Sequence, residues 1–273
     1  MPRDLLVTVD VEQDISKYLS SSFLGLSQGV PFLLDLFKQL GIRGSFFVQG
    51  LVSDAFPEIV LEIKRRGHSI GCHGYYHLPY GERFAWDVDR DVAASTNAIL
   101  RVTGDRPVMF RAVEFSLTRR LVRVLENYGF MIDSSALNNY RRSFLWGFAR
   151  RALPYRPEQP YVLSKETRPK GKGKVIEVPV TENPRFPGSP LGLGFLNLRG
   201  VEQTIGALRE VRSSYCTFLI HPWEAVDFPV GLKGLPDWVR TISRKDEEVL
   251  GGFLGWAKDE MDLTDFPSLI SAR

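Results

Sequence analysis

Apolar and polar positions follow a repeating rhythm through the first half of the chain. Residues 5–11, Leu-Leu-Val-Thr-Val-Asp-Val, are a short apolar, β-branched run, which predicts a buried strand. Residues 29–41 carry Pro31 near the start and Gly41 at the end, the punctuation of a helix. A second strand is predicted over 42–50, a helix closed by Gly67 over 54–67, and a short strand over 68–71. A long helix over 84–103, a strand over 107–112, a helix over 117–129 and a strand over 130–135 continue the series. Such alternation with short links implies parallel strands joined by crossover helices. The rhythm stops after residue 135, in a stretch rich in Arg, Pro, Gly and aromatics, and resumes with a strand over 175–180 and a Pro/Gly-rich loop over 183–194. A helix over 200–212, a strand over 216–221, a helix over 246–259 and a last short strand within 261–266 finish it. The pattern predicts one barrel-like α/β domain spanning 1–273, with an insertion at about 136–174.

Composition adds little to this picture, but charge adds something. The chain has 273 residues, 44% hydrophobic and 25% charged, an ordinary balance for a globular protein. No apolar run approaches the roughly 20 residues of a membrane-spanning helix. Cys72 and Cys216 do not suggest a disulfide framework. The opening residues lack the basic head and apolar stretch of a secretory signal, so a cytoplasmic location is expected. The net charge of +3 is unevenly spread: residues 138–174 hold ten Lys or Arg against Glu158 and Glu166, leaving −5 for the remainder.

Candidate chemistry gathers where predicted strands end, which in a parallel barrel is the functional face. The first strand ends in Asp10 and Glu12, two apart and therefore on one face. Either acid can bind a metal while the other works as a base, although acids at a strand end also cap helices. Three of the four histidines fall within Gly67–His77. The His-x-x-x-His pair of His73 and His77, with Gly74 permitting a compact turn, can present two imidazoles to one divalent ion. Imidazole suits zinc, with cobalt, manganese, iron and nickel as alternatives. Two histidines and one carboxylate leave coordination positions open, as catalytic sites require. His68 is assigned a structural role at a strand start. Arg111, between Phe110 and Ala112 after an apolar strand, is expected to be buried and to need a carboxylate, for which Asp10 is the natural partner. His221 ends the late strand, and Pro222 fixes the chain as it leaves.

These stretches resemble the NodB-homology polysaccharide deacetylases. Thr-Val-Asp-Val-Glu (8–12), Gly-Ser-Phe-Phe-Val-Gln-Gly (44–50), Gly67–His77, Phe-Arg-Ala-Val-Glu-Phe-Ser-Leu-Thr (110–118), Phe-Met-Ile-Asp-Ser-Ser (130–135) and Phe-Leu-Ile-His-Pro-Trp-Glu (218–224) match the family's motifs in order. The resemblance implies a distorted (β/α)7-type barrel and a metal-dependent hydrolase that cleaves the C–N bond of an N-acylated amino sugar, by deacetylation or deformylation. It implies His73 and His77 as metal ligands. The Asp-x-Glu spacing resembles an intracellular-type subgroup, which implies Glu12 as third ligand and Asp10 as base. Arg111 would tether Asp10, and His221 would be the general acid. The chain departs from the usual pattern at Val11, at Val113 and Glu114, and in lacking an Asp-Trp pair behind the acid histidine. Hydrolysis of a cyclic amide or ureide, and a catalytically silent sugar- or lipid-binding relative, are the alternatives.

Within the insertion, residues 143–153 sort apolar side chains onto one helical arc, with Arg141 and Arg142 in front. That pattern predicts a basic amphipathic helix able to lie on an anionic membrane surface through the Arg141–Arg151 region. A lipid-linked or phosphate-bearing sugar at the inner membrane face is the matching substrate, and a solvated surface helix is the simpler reading. No nucleic-acid-binding module accompanies the basic segment.

Overall fold

The structure is a computed structural model, and it describes residues 1–15, 22–80, 87–137, 159–163 and 175–271. Nine strands and nine α-helices occur among them. The strand order is β6-β7-β5-β4-β3-β2-β1-β8, with β9 beside β1: β1 Asp4–Val11, β2 Ser45–Val48, β3 Ser69–Cys72, β4 Met109–Phe110, β5 Ile132–Asp133, β6 Tyr161–Val162, β7 Ile176–Glu177, β8 Tyr215–Ile220 and β9 Asp262–Thr264. The α/β reading of the sequence therefore stands. The basic segment 141–151 and most of the insertion lie outside the described residues.

The chain packs as two compact units, each assembled from separate stretches. The first comprises Met1–Phe46, Glu62–Ser69 and Leu191–Arg273. Here β1 runs parallel to β8 and β9, and the registered pairs end at Val9 with Ile220. All six β8 residues and seven of the eight in β1 are buried, as expected of parallel strands covered on both faces. Helix α1 (Val30–Leu40) has Pro31 in its first turn and closes on Gly41 at φ 66°, a left-handed conformation that favours glycine. His68 is buried against the rings of Phe37 and Phe46, and its Nδ1 accepts from the Gly44 N–H at 3.1 Å. Its predicted structural role holds.

The second unit comprises Phe47–Leu61 and Ile70–Pro190. Strands β3, β4, β5 and β7 are parallel, with Cys72, Phe110, Asp133 and Glu177 in one row, and β6 pairs antiparallel to β7. Strands expected to be six residues long, 107–112 and 130–135, keep only two ladder residues each. Their flanks turn polar groups to other partners instead.

Helix boundaries also differ from expectation. The helix expected over 54–67 is two, α2 (Gly50–Ala55) and α3 (Pro57–Arg65). Pro57 clashes with a helical residue before it, and Phe56 accordingly leaves the helix at φ −134°, ψ 56°. The helix expected from residue 200 starts earlier, as α6 (Leu193–Glu210). Gly200, at φ 79°, ψ 176°, interrupts it and had looked like its beginning. Helix α4 (Val88–Thr103) starts at Asp87, whose carboxylate accepts from the Asp89 and Arg90 N–H groups. The expected helix over 117–129 is α5 (Arg119–Asn127), and three remain: α7 (Asp237–Ile242), α8 (Glu247–Glu260) and α9 (Phe266–Ser271). None of the described helices is long and apolar enough to cross a membrane.

Candidate functional site

In the first unit, Asp10 and His221 each follow the last registered pair of β1 and β8, so parallel pairing brings these two strand ends level. Asp10 and Glu12 are buried. Glu12 Oε1 accepts from the indole N–H of Trp223 at 3.4 Å. The Trp223 ring also stacks on His221, centroids 5.1 Å apart. Glu224 completes this corner. Its Oε2 accepts from the His221 backbone N–H at 2.9 Å and lies 3.5 Å from His221 Nδ1. Burial pulls the His221 pKa down, but the negative charges of Glu224, Glu12 and Asp10 outweigh it and push the value up to about 9. The capping role considered for the strand-end acids belongs to a third carboxylate, Asp14. It accepts from Ser22 Oγ at 2.7 Å and from the backbone N–H groups of Leu24 and Gly25 at 2.6 and 2.9 Å, where the chain enters the turn leading to α1.

In the second unit, His73 and Arg111 follow the paired residues Cys72 and Phe110. His73 Nδ1 lies 2.9 Å from the Arg111 carbonyl oxygen. A carbonyl only accepts, so Nδ1 carries the proton and Nε2 keeps its lone pair, the tautomer a metal ligand needs. Arg111 is fully buried. Its Nε donates to the Ser134 carbonyl at 3.1 Å and its Nη2 to Ser134 Oγ at 3.0 Å, with the guanidinium 4.2 Å above the Phe47 ring. Next to it, the Ala112 N–H donates to Ser135 Oγ, which donates to Asp133 Oδ1. Burial raises the pKa of Asp133, which stands in register with the buried Glu177. Two adjacent buried carboxyls are most stable holding a proton between them. The turn Val113–Phe115 that follows places Glu114 and Phe115 at φ 51° and 53°, strained values for non-glycine residues.

His77 sits at φ 56° in a loop beginning at Gly74, with its ring centroid 5.3 Å from that of His73. Within the second unit His73 and His77 thus bring two imidazoles together, and Glu12 in the first is the carboxylate at the end of β1; two imidazoles and a carboxylate are a donor set that suits a first-row divalent ion with open positions. The residues that sequence reasoning did not single out are Asp14, Asp91, Trp223, Glu224 and the Ser134/Ser135 pair. Only the ladder register and the loop contacts give them partners.

Residues 13–132 match the family model described as polysaccharide deacetylase. Over that stretch the chain is similar to the polysaccharide deacetylases. Among curated proteins, it is 30% identical over 130 residues to a peptidoglycan deacetylase of Helicobacter pylori, covering 48% of this chain and 43% of the relative. It is 32% identical over 103 residues to a peptidoglycan-N-acetylglucosamine deacetylase of Bacillus cereus, covering 37% of each. The chain thus spans less than half the length of these relatives. A Mycobacterium smegmatis protein described as a polysaccharide deacetylase shares the fold at TM-score 0.62, with 21% identity, 98% of this chain and 89% of that one covered. A family pseudoenzyme from Bacillus anthracis shares it at TM-score 0.57, with 10% identity and 98% and 65% covered. At these identities the likeness is one of fold alone.

Proposed function

We propose that this chain is a metal-dependent amidohydrolase that removes the N-acyl group, acetyl or formyl, from an amino sugar. The observation that carries the reading is the paired imidazoles of His73 and His77, ring centroids 5.3 Å apart, in a chain whose residues 13–132 match the deacetylase model; Glu12 is the third donor we assign. The similar peptidoglycan deacetylase and peptidoglycan-N-acetylglucosamine deacetylase support the same substrate class. Glu12, His73 and His77 would hold the ion, and zinc would suit this set best. When bound, it supplies Lewis-acid polarisation of the amide carbonyl and acidifies a water.

The other residues supply the rest. Asp10 takes the proton of the attacking water. Arg111 is the tether we assign to Asp10, and Ser134 and Phe47 hold the Arg111 guanidinium in place. His221 donates a proton to the leaving nitrogen. The Glu224 carboxylate at 3.5 Å favours the protonated imidazole this step needs and replaces the missing Asp-Trp pair from three residues along the chain. The strained Val113–Phe115 turn supports a backbone N–H at Val113 as the oxyanion donor, a contribution on the order of 3 kcal/mol. The basic Arg141–Arg151 segment suits a lipid-linked form of the sugar, and co-sedimentation with anionic liposomes tests that part separately.

The deciding experiment measures bound metal together with acetate and formate release from N-acylated amino-sugar oligomers, for wild type and His73→Ala. Wild type should carry about one ion and release the acid, and the variant should do neither. Release by metal-free protein would end the proposal. Metal binding without release from any such sugar would instead favour a silent relative, the reading supported by the similar pseudoenzyme fold and by the departures at Val11, Val113 and Glu114.

A further inference from the structure

The two histidines of the donor set are held in very different ways. His73 continues a strand: its N–H donates to the Val48 carbonyl and its ring is fixed on the Arg111 carbonyl. His77 has no ladder beneath it. It stands in left-handed backbone within a loop, a conformation that costs energy unless neighbours impose it.

Those neighbours converge on one side chain. Asp91, in α4, is buried. Its Oδ2 accepts from the Tyr75 N–H at 3.0 Å and the Tyr80 hydroxyl at 2.5 Å, and its Oδ1 accepts from the Tyr76 N–H at 3.1 Å. The carboxylate therefore grips the chain immediately before His77 and again three residues after it. Tyr80 is itself anchored, its N–H donating to Ser116 Oγ at 2.7 Å. The start of the loop is pinned as well, by Gly50 N–H on the Gly74 carbonyl at 2.8 Å and by Gln49 Nε2 on the Tyr75 carbonyl at 3.2 Å. The arrangement excludes a side chain at residue 74. A Cβ on Gly74 would lie 2.6 Å from the Tyr80 hydroxyl and 3.1 Å from Asp91 Oδ2, and its φ is 70° besides. The glycine between the histidines is thus explained by the carboxylate that occupies the space beside it.

We propose that Asp91, with Tyr80, is the positioning residue that holds His77 at ligand distance, so that this carboxylate, itself outside the donor set, sets the metal affinity. The inference rests on the metal-hydrolase reading above. Without the Asp91 grip, His77 relaxes out of its left-handed backbone, and this donor is lost while Glu12 and His73 keep their own supports. Loss of such a supporting contact typically weakens metal binding about 10- to 100-fold.

The test is zinc affinity of the full chain, measured by competition with a chromophoric chelator at a temperature where every variant is folded by circular dichroism. Asp91→Ala should bind zinc about 10- to 100-fold more weakly than wild type. Asp91→Asn keeps one accepting oxygen and should fall between the two. Tyr80→Phe deletes one oxygen and should weaken binding by a smaller factor, and it carries the test alone if Asp91→Ala does not fold. Affinities equal to wild type in the folded variants, even with lowered melting temperatures, would overturn the proposal and leave Asp91 a purely structural residue. Failure of wild type itself to bind zinc would remove the underlying metal reading, a result distinguishable from the first.

Discussion

Stability of this protein should fall between pH 6.5 and pH 4 because of one buried histidine. His68 is 8% exposed, with its ring 4.9 Å from that of Phe46 and 5.9 Å from that of Phe37. Its Nδ1 accepts from the Gly44 N–H, so protonation would break that bond and place a cation among phenyl rings. Burial first, then the positive charges of Arg66 and Arg43, pull its pKa from 6.5 to about 4. In the unfolded chain the imidazole takes up a proton below about pH 6.5, whereas in the folded chain it does not until about pH 4. The unfolded state therefore holds more protons in that window, and stability falls as pH falls. At 1.36 kcal/mol per pK unit the loss reaches about 1.4 kcal/mol at pH 5.5 and about 2.5 kcal/mol at pH 4.5. His68→Asn offers a side-chain acceptor to Gly44 without a titrating ring. Urea unfolding of both proteins at pH 7.5, 5.5 and 4.5 isolates the effect, because other groups titrate equally in each. The stability advantage of wild type should shrink by these amounts as pH falls. An advantage independent of pH would refute the assignment of neutral, buried imidazole.

Further expectations concern the supports of the site. Gly29→Ala should destabilise by about 1–3 kcal/mol in thermal or urea unfolding, since its Cβ would lie 2.1 Å from the Pro222 carbonyl oxygen and displace the segment after His221. Asp14→Ala removes the acceptor of three hydrogen bonds at the start of the chain leading to α1, and should cost about 2–4 kcal/mol by the same measurement. Ser135→Ala leaves the buried Ala112 N–H without its partner and should cost about 1–3 kcal/mol, read as a lower urea midpoint at unchanged slope. Glu224→Gln should lower kcat about 10- to 100-fold with KM little changed, because it acts through the proton donor rather than through substrate binding. An unchanged kcat would remove Glu224 from the proton-donating corner.

Much of the architecture was legible before any coordinates. The β-branched and apolar runs at 5–11 and 216–221 read as buried strands, and they are. Asp10, Glu12, His73, Arg111 and His221 were marked because parallel strands deliver their C-terminal residues to one edge, a rule of topology that needs no side-chain detail. Where the reading erred, local signals were ambiguous. By pattern Pro57 reads as interior to one helix although it splits two, and Gly200 reads as a helix start although it is a break within a helix already begun. The strands at 107–112 and 130–135 were overestimated because apolar pattern cannot reveal where a residue leaves the ladder to bond a side chain, as Ala112 does with Ser135.

The alternation of strands and helices, the candidate ligands and the structural nature of His68 follow from the sequence alone, because periodicity and residue chemistry are local properties; the order of strands in the sheet does not. The supports of those ligands did not. Asp91 lies fourteen residues beyond His77, in a helix, and nothing in its surroundings along the chain separates it from a solvated helix acid. Trp223 and Glu224 carry no local signal of a role beside His221. Their roles exist only once packing has excluded water, because a carboxylate becomes a clamp or a charge partner when its hydrogen bonds have no solvent to compete with, and that condition is set by the folded environment.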